Sequence, residues 1–305
     1  MIFADGHCDF LYGMANDGYD LKRPKPRQSV TLAGLKAGNV KLQLFAAWID
    51  VKHRRPYLQQ FMSMADAFER MLKENPELTR LTPDFDVNGD RIAAMLTIEG
   101  GEAIEGQADV LRCVHRMGAK AMTLTWNTRN ELAEPAVKKR KRGLTFLGKE
   151  IVREMGAIGM AVDVSHLNDA GIGDVLKENV KVFASHSNAR EVFYSERSLP
   201  DELIREIARR GGTVGVNFYH KQLTHAEYAV IGDVARQAEH ILKVGGEDCL
   251  AIGSDFDGMG RYPEGLADPS GLPNLIPALE SCGITGETLE KACWKNLMRF
   301  AKSLL

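Results

Sequence analysis

Few features of a specialised protein class mark this 305-residue chain, and each absence removes a possibility. Its five cysteines, Cys8, Cys113, Cys249, Cys282 and Cys293, are scattered and include no C-x-x-C pair. That pattern excludes a disulfide framework and reads as reduced thiols, packed in a core rather than ligating zinc. Lys plus Arg number 39 against 41 Asp plus Glu, a formal net charge of -2. So balanced a chain is not expected to bind nucleic acid or an anionic membrane. No apolar run approaches the ~18 residues that a membrane span needs. The first strand-like run begins at residue 2 and already carries His7, leaving no room for a signal peptide. A soluble, cytoplasmic protein is therefore expected. No Gly-rich phosphate loop follows that run, and no linker, repeat or low-complexity tract divides the chain.

What is present is an alternation. Short β-branched, apolar or small-residue runs occupy residues 2–9, 41–49, 91–99, 119–126, 160–166, 180–187, 212–218 and 249–256. Most intervals between them carry a 3.6-period pattern, as in YLQQFMSMADAFERMLKEN, GKEIVREMGAIG and DVARQAEHILKVGG. Pro200-Asp201 opens the helical run ELIREIARR and Gly211-Gly212 closes it. Alternating strands and helices imply parallel pairing, because parallel neighbours need a crossover. Eight such units closing on themselves predict an α/β fold, a (β/α)8 TIM barrel spanning residues 1–305 as one domain. The final segment, ETLEKACWKNLMRFAKSLL, reads as a closing helix. The competing architecture is an open doubly wound sheet, which the missing phosphate loop disfavours.

Polar residues stand where these runs end. They are His7 and Asp9 in FADGHCDF, Glu99 in MLTIEGGEA, His166 in MAVDVSHLN, His186 in KVFASHSNA and Asp255 in LAIGSDFDG. Six such residues on one rim of a closed parallel sheet point to a single metal site. His7 and Asp9 share a direction if the strand continues through them, with Cys8 facing outward; the bland alternative is a strand-end His bonded to its own Asp. Glu99 is costly to desolvate unless ligated or paired. It could instead serve a helix start, a need that Glu102 can also meet. Neutral imidazoles at His166 and His186 suit zinc, with nearby Ser residues and Asp163 as supporting partners. Asp255 stands where a metal hydrolase needs a carboxylate to hold the attacking water and shuttle its proton. Asp257 competes for that role, although Asp257-Gly258 looks like turn chemistry. His53, His115, His220, His225 and His240 fall in loops or mid-helix and read as structural; His220, after NFY, is the least clear of them.

Taken together, DGHCDF, IEGG, the block GLTFLGKEIVREMGAIGMAVDVSHL, ASHSNAR with SERSLPDEL, GGTVGVNFY, and GSDFDG with YPEGL resemble the renal or membrane dipeptidase family (peptidase family M19) over essentially the full length. That family belongs to the amidohydrolase-like barrels, so the resemblance implies a TIM barrel of the metal-dependent hydrolase type. The resemblance implies a binuclear zinc site in which His7 and Asp9 bind one Zn2+, His166 and His186 bind the other, and Glu99 bridges both. It further implies that a bridging hydroxide attacks the peptide carbonyl of a small dipeptide, with Asp255 orienting it and protonating the leaving amine. Arg197 in SERSLP would grip the substrate carboxylate, and Tyr219 in NFY would contact substrate. Family members commonly form homodimers, so a homodimer is expected.

One position departs from the family pattern. Where a His follows LT at the fourth strand end in well-known members, AMTLTWNTRN places Trp126. An indole donates one hydrogen bond but cannot act as an acid or cation at neutral pH. Trp126 therefore reads as a substrate-pocket wall, with Asn127 as a polar substitute, and substrate preference becomes the open question. Two rivals follow: a metal amidohydrolase acting on another small amide or an N-acyl amino acid, and a metal-bound barrel without turnover. The run VKKRKRG, with Lys138, Lys139, Arg140, Lys141 and Arg142, reads as a solvated loop, with attraction of anionic substrates as a lesser reading.

Overall fold

A computed structural model describes residues 1–138 and 142–305. Among the described residues, nine strands form one all-parallel sheet: β1 (Phe3–Asp5), β2 (Val40–Trp48), β3 (Leu78–Arg80), β4 (Ile92–Glu99), β5 (Ala121–Thr123), β6 (Ala161–Asp163), β7 (Val182–Phe183), β8 (Val214–Asn217) and β9 (Leu250–Gly253). Their order is β7-β6-β5-β4-β2-β1-β9-β8, with β3 paired to β4 off this path. A parallel bridge between Ala184 and Val214 joins the two ends of that path. The sheet is thus an eight-stranded barrel with helices outside it, as the alternation of elements predicts.

Two departures from the expected strands matter for the site. The first is β3, a short strand that pairs with Ile92–Ala94 at the start of β4, on the edge whose other end pairs with β5, and that the sequence pattern does not signal. The second is that four of the eight barrel strands, β1, β6, β7 and β9, stop two or more residues short of the polar residues. His7, Asp9, His166, His186 and Asp255 stand on the loops that leave the strands, while Glu99 alone is a strand residue. The physical reason is side-chain substitution in the ladder. Asp5, at the end of β1, accepts the Ser254 N–H at 2.8 Å and its hydroxyl at 2.6 Å. Asp163, at the end of β6, accepts N–H groups from Ser165 and Ser185, each at 3.0 Å. Buried carboxylates thus take over amides that a continuing ladder would have used. Gly253 is needed beside this change of course, because a Cβ there would lie 1.9 Å from the Ser185 carbonyl oxygen.

The helices follow their local signals. Thr145 caps Phe146–Ile158 by accepting from the Gly148 N–H, and Gly159 ends that helix at φ 78°. Tyr57–Glu74 turns Phe61, Met64, Phe68 and Met71 onto the barrel. The C-terminal segment is Gly286–Glu290, a wider π turn at Lys291–Lys295, then Asn296–Lys302. Its Leu297, Met298, Phe300 and Leu304 pack with Ala4, Leu44, Met95 and Phe183 in a cluster at the N-terminal end of the barrel. Phe183 and Phe300 rings lie 4.8 Å apart there. The opposite mouth is thereby left to the polar loops. No helix among the described residues is long and apolar enough to cross a membrane.

Candidate metal and substrate site

Glu99 is the centre of the arrangement. It ends a strand buried at every position, and its two oxygens face different partners. Oε1 lies 2.9 Å from His166 Nε2 and 3.6 Å from His186 Nε2, while Oε2 lies 3.5 Å from His7 Nε2. His7 Nε2 is also 3.8 Å from Asp9 Oδ2. Two groups with metal-ligand spacing result, His7–Asp9–Glu99 and Glu99–His166–His186, sharing the glutamate. A third, His7–His186–Asp255, brings Asp255 against both.

The loops that deliver these side chains are held tightly. Cys8 bridges to Phe256, and the Asp9 N–H bonds the Phe256 carbonyl at 2.8 Å, so the His7–Asp9 turn rests on the loop carrying Asp255. His166 and Asp255 adopt positive φ, 70° and 63°. That is uncommon away from glycine and turns each side chain back over the barrel. Gly258 leaves the carboxylates their space, since a Cβ there would fall 2.2 Å from Asp255 Oδ1 and 2.3 Å from Asp9 Oδ2. Asn188 and Asn217 exchange hydrogen bonds between the β7 and β8 loops at 3.0 and 3.1 Å. Asn217 Nδ2 then reaches Asp255 Oδ2 at 3.3 Å.

Hydrogen bonds behind the imidazoles set their tautomers. His166 Nδ1 is 3.0 Å from Asn127 Oδ1, an acceptor, so Nδ1 carries the hydrogen and Nε2 the lone pair. Ser185 donates its hydroxyl to Asp163 Oδ2 at 2.5 Å and accepts from His186 Nδ1 at 2.7 Å, giving His186 the same tautomer. Burial, with Arg197 next, pushes His166 down to about 4. Burial and the neighbouring His7 take His186 well below its ordinary value. Two neutral Nε2 lone pairs therefore face each other across 3.0 Å, beside a carboxylate oxygen. Three acceptors converging without a hydrogen between them fit a cation. On the other side, His7 Nε2 and Asp9 Oδ1 are buried without a hydrogen-bond partner. Burial opposes charging His7, but Glu99 and Asp9 outweigh it and raise its pKa well above 6.5. Burial also lifts Glu99, yet His7 and His166 carry it well below the usual carboxylate range.

A cavity of about 710 Å³ opens above the cluster, lined by Asp9, Glu99, His166 and Asp255 together with Arg197, Tyr219, Trp126 and Asn127. His7, Asp9, Glu99, His166, His186 and Asp255 thus stand together beneath a cavity that Arg197, Tyr219, Trp126 and Asn127 also line. Burial raises Asp255 to about 7. Asp257 is set apart by its partners: its oxygens accept the Ser29 and Val30 N–H groups at 2.5 and 3.1 Å, so it anchors a loop. Asn127, expected as a polar substrate contact, also spends its carbonyl oxygen on His166. His53, His115, His220, His225 and His240 do not line the cavity, and His240 pairs with Asp201 at 2.7 Å. Of the basic run, Lys139, Arg140 and Lys141 lie outside the described residues. Sequence reasoning missed Asn188, Asn217, Tyr12 and Trp48. Of these, Trp48 alone left a signal, a large aromatic at the mouth end of the second strand-like run.

The chain matches the family described as membrane dipeptidase (peptidase family M19) over residues 1–304. It is 32% identical to mouse dipeptidase 3 over 282 residues, which cover 90% of this chain and 57% of that protein. It is 34% identical to an uncharacterised dipeptidase of Schizosaccharomyces pombe over 254 residues, covering 80% of this chain and 62% of that one. The chain therefore spans about three fifths of the length of these curated relatives. Among solved structures, a Rhodobacter sphaeroides metallopeptidase liganded with a phosphinate mimic of L-Ala-D-Ala superposes with a TM-score of 0.89 at 24% identity, covering 100% of this chain and 99% of that one. An M19 dipeptidase superposes with a TM-score of 0.88 at 25% identity, covering 99% and 98%.

Proposed function

The chain belongs to the membrane dipeptidase family M19 of metallopeptidases, and from that premise we propose that it is a binuclear zinc dipeptidase acting on small dipeptides. The observation that carries this reading is the Arg197 guanidinium. It is 8% exposed, lines the cavity, and its side chain makes one long hydrogen bond, 3.4 Å to the His186 carbonyl, among the described residues. No carboxylate pairs with it directly among the described residues; Glu99, Asp255 and Asp163 act on it only through space, and a buried cation without a bonded partner is unfavourable. A substrate carboxylate would supply the missing bonded partner through two parallel N–H···O bonds, a geometry lysine cannot match. A free dipeptide carries its carboxylate one residue from the scissile bond, whereas a longer peptide has none at that distance.

His7, Asp9 and Glu99 would hold one cation, and Glu99, His166 and His186 the second, with Glu99 turning one oxygen to each. When bound, two zinc ions lower the pKa of water and polarise the scissile carbonyl. Asn127 and Ser185 keep the His166 and His186 lone pairs aimed at the shared centre. Asp255, raised to about 7 by burial, suits proton transfer near neutrality. It takes a proton from the attacking water and delivers it to the amide nitrogen as the C–N bond breaks. Asn217 steadies the Asp255 carboxylate, and Tyr219, Trp126 and the free Asn127 Nδ2 border the substrate. In this reading residues 1–305 are one barrel whose C-terminal helix closes the far end. Five unpaired cysteines support a reducing, cytoplasmic setting. The family resemblance supports a homodimer, which sedimentation of the purified protein tests.

Trp126 favours a second reading, a metal amidohydrolase of N-acyl amino acids, which also present one carboxylate and an apolar group. The experiment is metal analysis coupled to a panel of dipeptides and N-acyl amino acids, on the wild type, His166→Ala and Glu99→Gln. We expect two metals per chain, dipeptide turnover, and loss of both metal and turnover in the variants. Full turnover with two tightly held metals in Glu99→Gln would sink the mechanism. Faster N-acyl hydrolysis would favour the second reading, and full occupancy without any hydrolysis would leave a binding barrel.

A further inference from the structure

The cavity has a chemically distinct side that metal binding and carboxylate recognition leave unused. Tyr12 and Trp48 rings stand 4.8 Å apart at 58°, and Trp48 and Trp126 stand 5.0 Å apart at 69°. Trp126 in turn lies 6.2 Å from the His166 ring. The three aromatic side chains form a continuous wall running outward from the metal cluster, and all three border the cavity while remaining half-exposed. Val137 and Met259 add apolar surface to the same cavity.

The barrel order says which part of a substrate meets this wall. Tyr12 follows β1, Trp48 ends β2 and Trp126 follows β5, whereas Arg197 follows β7 and Tyr219 follows β8. In the closed circle, β2 and β7 are four places apart among eight, so Trp48 and Arg197 stand on opposite sides of the mouth. The Glu99 cluster lies between them. A dipeptide with its carboxylate on Arg197 and its peptide bond over Glu99 must direct its N-terminal residue toward the rings.

From this we infer that the Tyr12–Trp48–Trp126 wall receives the N-terminal side chain, and that the enzyme selects dipeptides beginning with an aromatic or large apolar residue. The inference rests on the dipeptidase reading, because Arg197 sets the substrate direction. Tilted and edge-on ring contacts add to the gain from covering apolar area. Asp17 borders the cavity and Asp50 accepts the Tyr12 hydroxyl at 3.4 Å, so a cationic side chain is the natural competitor in the test.

The test measures kcat/KM of the metal-loaded protein for Phe-Ala, Ala-Phe, Ala-Ala and Lys-Ala. Phe-Ala should exceed each of the others by about tenfold, the size expected of one well-stacked ring. Trp126→Ala and Tyr12→Ala should each lower the Phe-Ala to Ala-Ala ratio severalfold, mainly through KM, and Trp126→Phe should recover part of it. Ala-Phe or Lys-Ala in front, no preference at all, or a ratio unmoved in both alanine variants overturns the inference. Titration of the intrinsic tryptophan fluorescence separates its failure from that of the dipeptidase reading. If no dipeptide is hydrolysed but Phe-Ala binds about tenfold tighter than Ala-Phe, the wall assignment stands and the activity falls. Equal binding without hydrolysis removes both.

Discussion

Replacing Arg197 by methionine should abolish most activity while making the folded protein more stable. Burial pulls the Arg197 guanidinium well below its ordinary value, to about 10, even with Glu99, Asp255 and Asp163 opposing the fall. At 1.36 kcal/mol per pKa unit, that is a penalty on the order of 3 kcal/mol on the charged form. The sign is that of a cation with a depressed folded value. The native state binds fewer protons than the unfolded state only above about 10, so the penalty is full and constant at every pH below that. Methionine fills much of the same space without charge, so Arg197→Met should gain roughly 1–3 kcal/mol. For a chain of this size, that is a rise of several degrees in Tm at about 2 °C per kcal/mol. The same change removes two charge-assisted hydrogen bonds to substrate. At about 1.5–3 kcal/mol each, kcat/KM for a free dipeptide should fall by at least a hundredfold. Arg197→Lys should fall between the two. The assay compares each dipeptide with its C-terminal amide: the wild type should discriminate strongly, and Arg197→Met hardly at all. A methionine variant that melts earlier than the wild type, or that still prefers the free acid, refutes the assignment of Arg197 to the substrate carboxylate.

Two further perturbations address the support of the site and of the barrel. Ser185→Ala removes the acceptor of His186 Nδ1, and should weaken retention of one of the two metals by about 10–100-fold in chelator competition, with secondary structure intact; unchanged affinity would show that the Asp163–Ser185 pair does not orient the imidazole. Phe300→Ala should destabilise the fold by about 3–5 kcal/mol in denaturant titration, because Phe300 is 4% exposed and packs on Phe183. Metal-loaded kcat/KM of the surviving folded protein should stay at the wild-type value, since this contact lies at the opposite end of the barrel, and an equal loss of activity would couple the two ends.

Much of the site was legible because barrel topology converts sequence position into spatial position. A polar residue just beyond each apolar run must arrive at the same rim, so His7, Glu99, His166, His186 and Asp255 could be grouped from the order of runs alone. Periodicity was less reliable at the strand ends. His7 and Asp9 do not share a strand, since β1 stops at Asp5, and their convergence comes from the turn resting on Phe256. Asp255 and Asp257 differ in a way that nearness to the strand alone does not reveal: one stands with His7 and His186, the other takes two backbone amides.

The sequence by itself determined the alternation of strands and helices and the chemical types gathered at the mouth, because these depend on local pattern and residue chemistry. Tertiary structure decided what depends on orientation. Buried Asp5 and Asp163 end the ladders early, positive φ at His166 and Asp255 turns side chains inward, and Asn127 and Ser185 select which imidazole nitrogen faces the centre. It also set Trp48 across from Arg197, a relation between residues about 150 positions apart that only closure of the barrel creates.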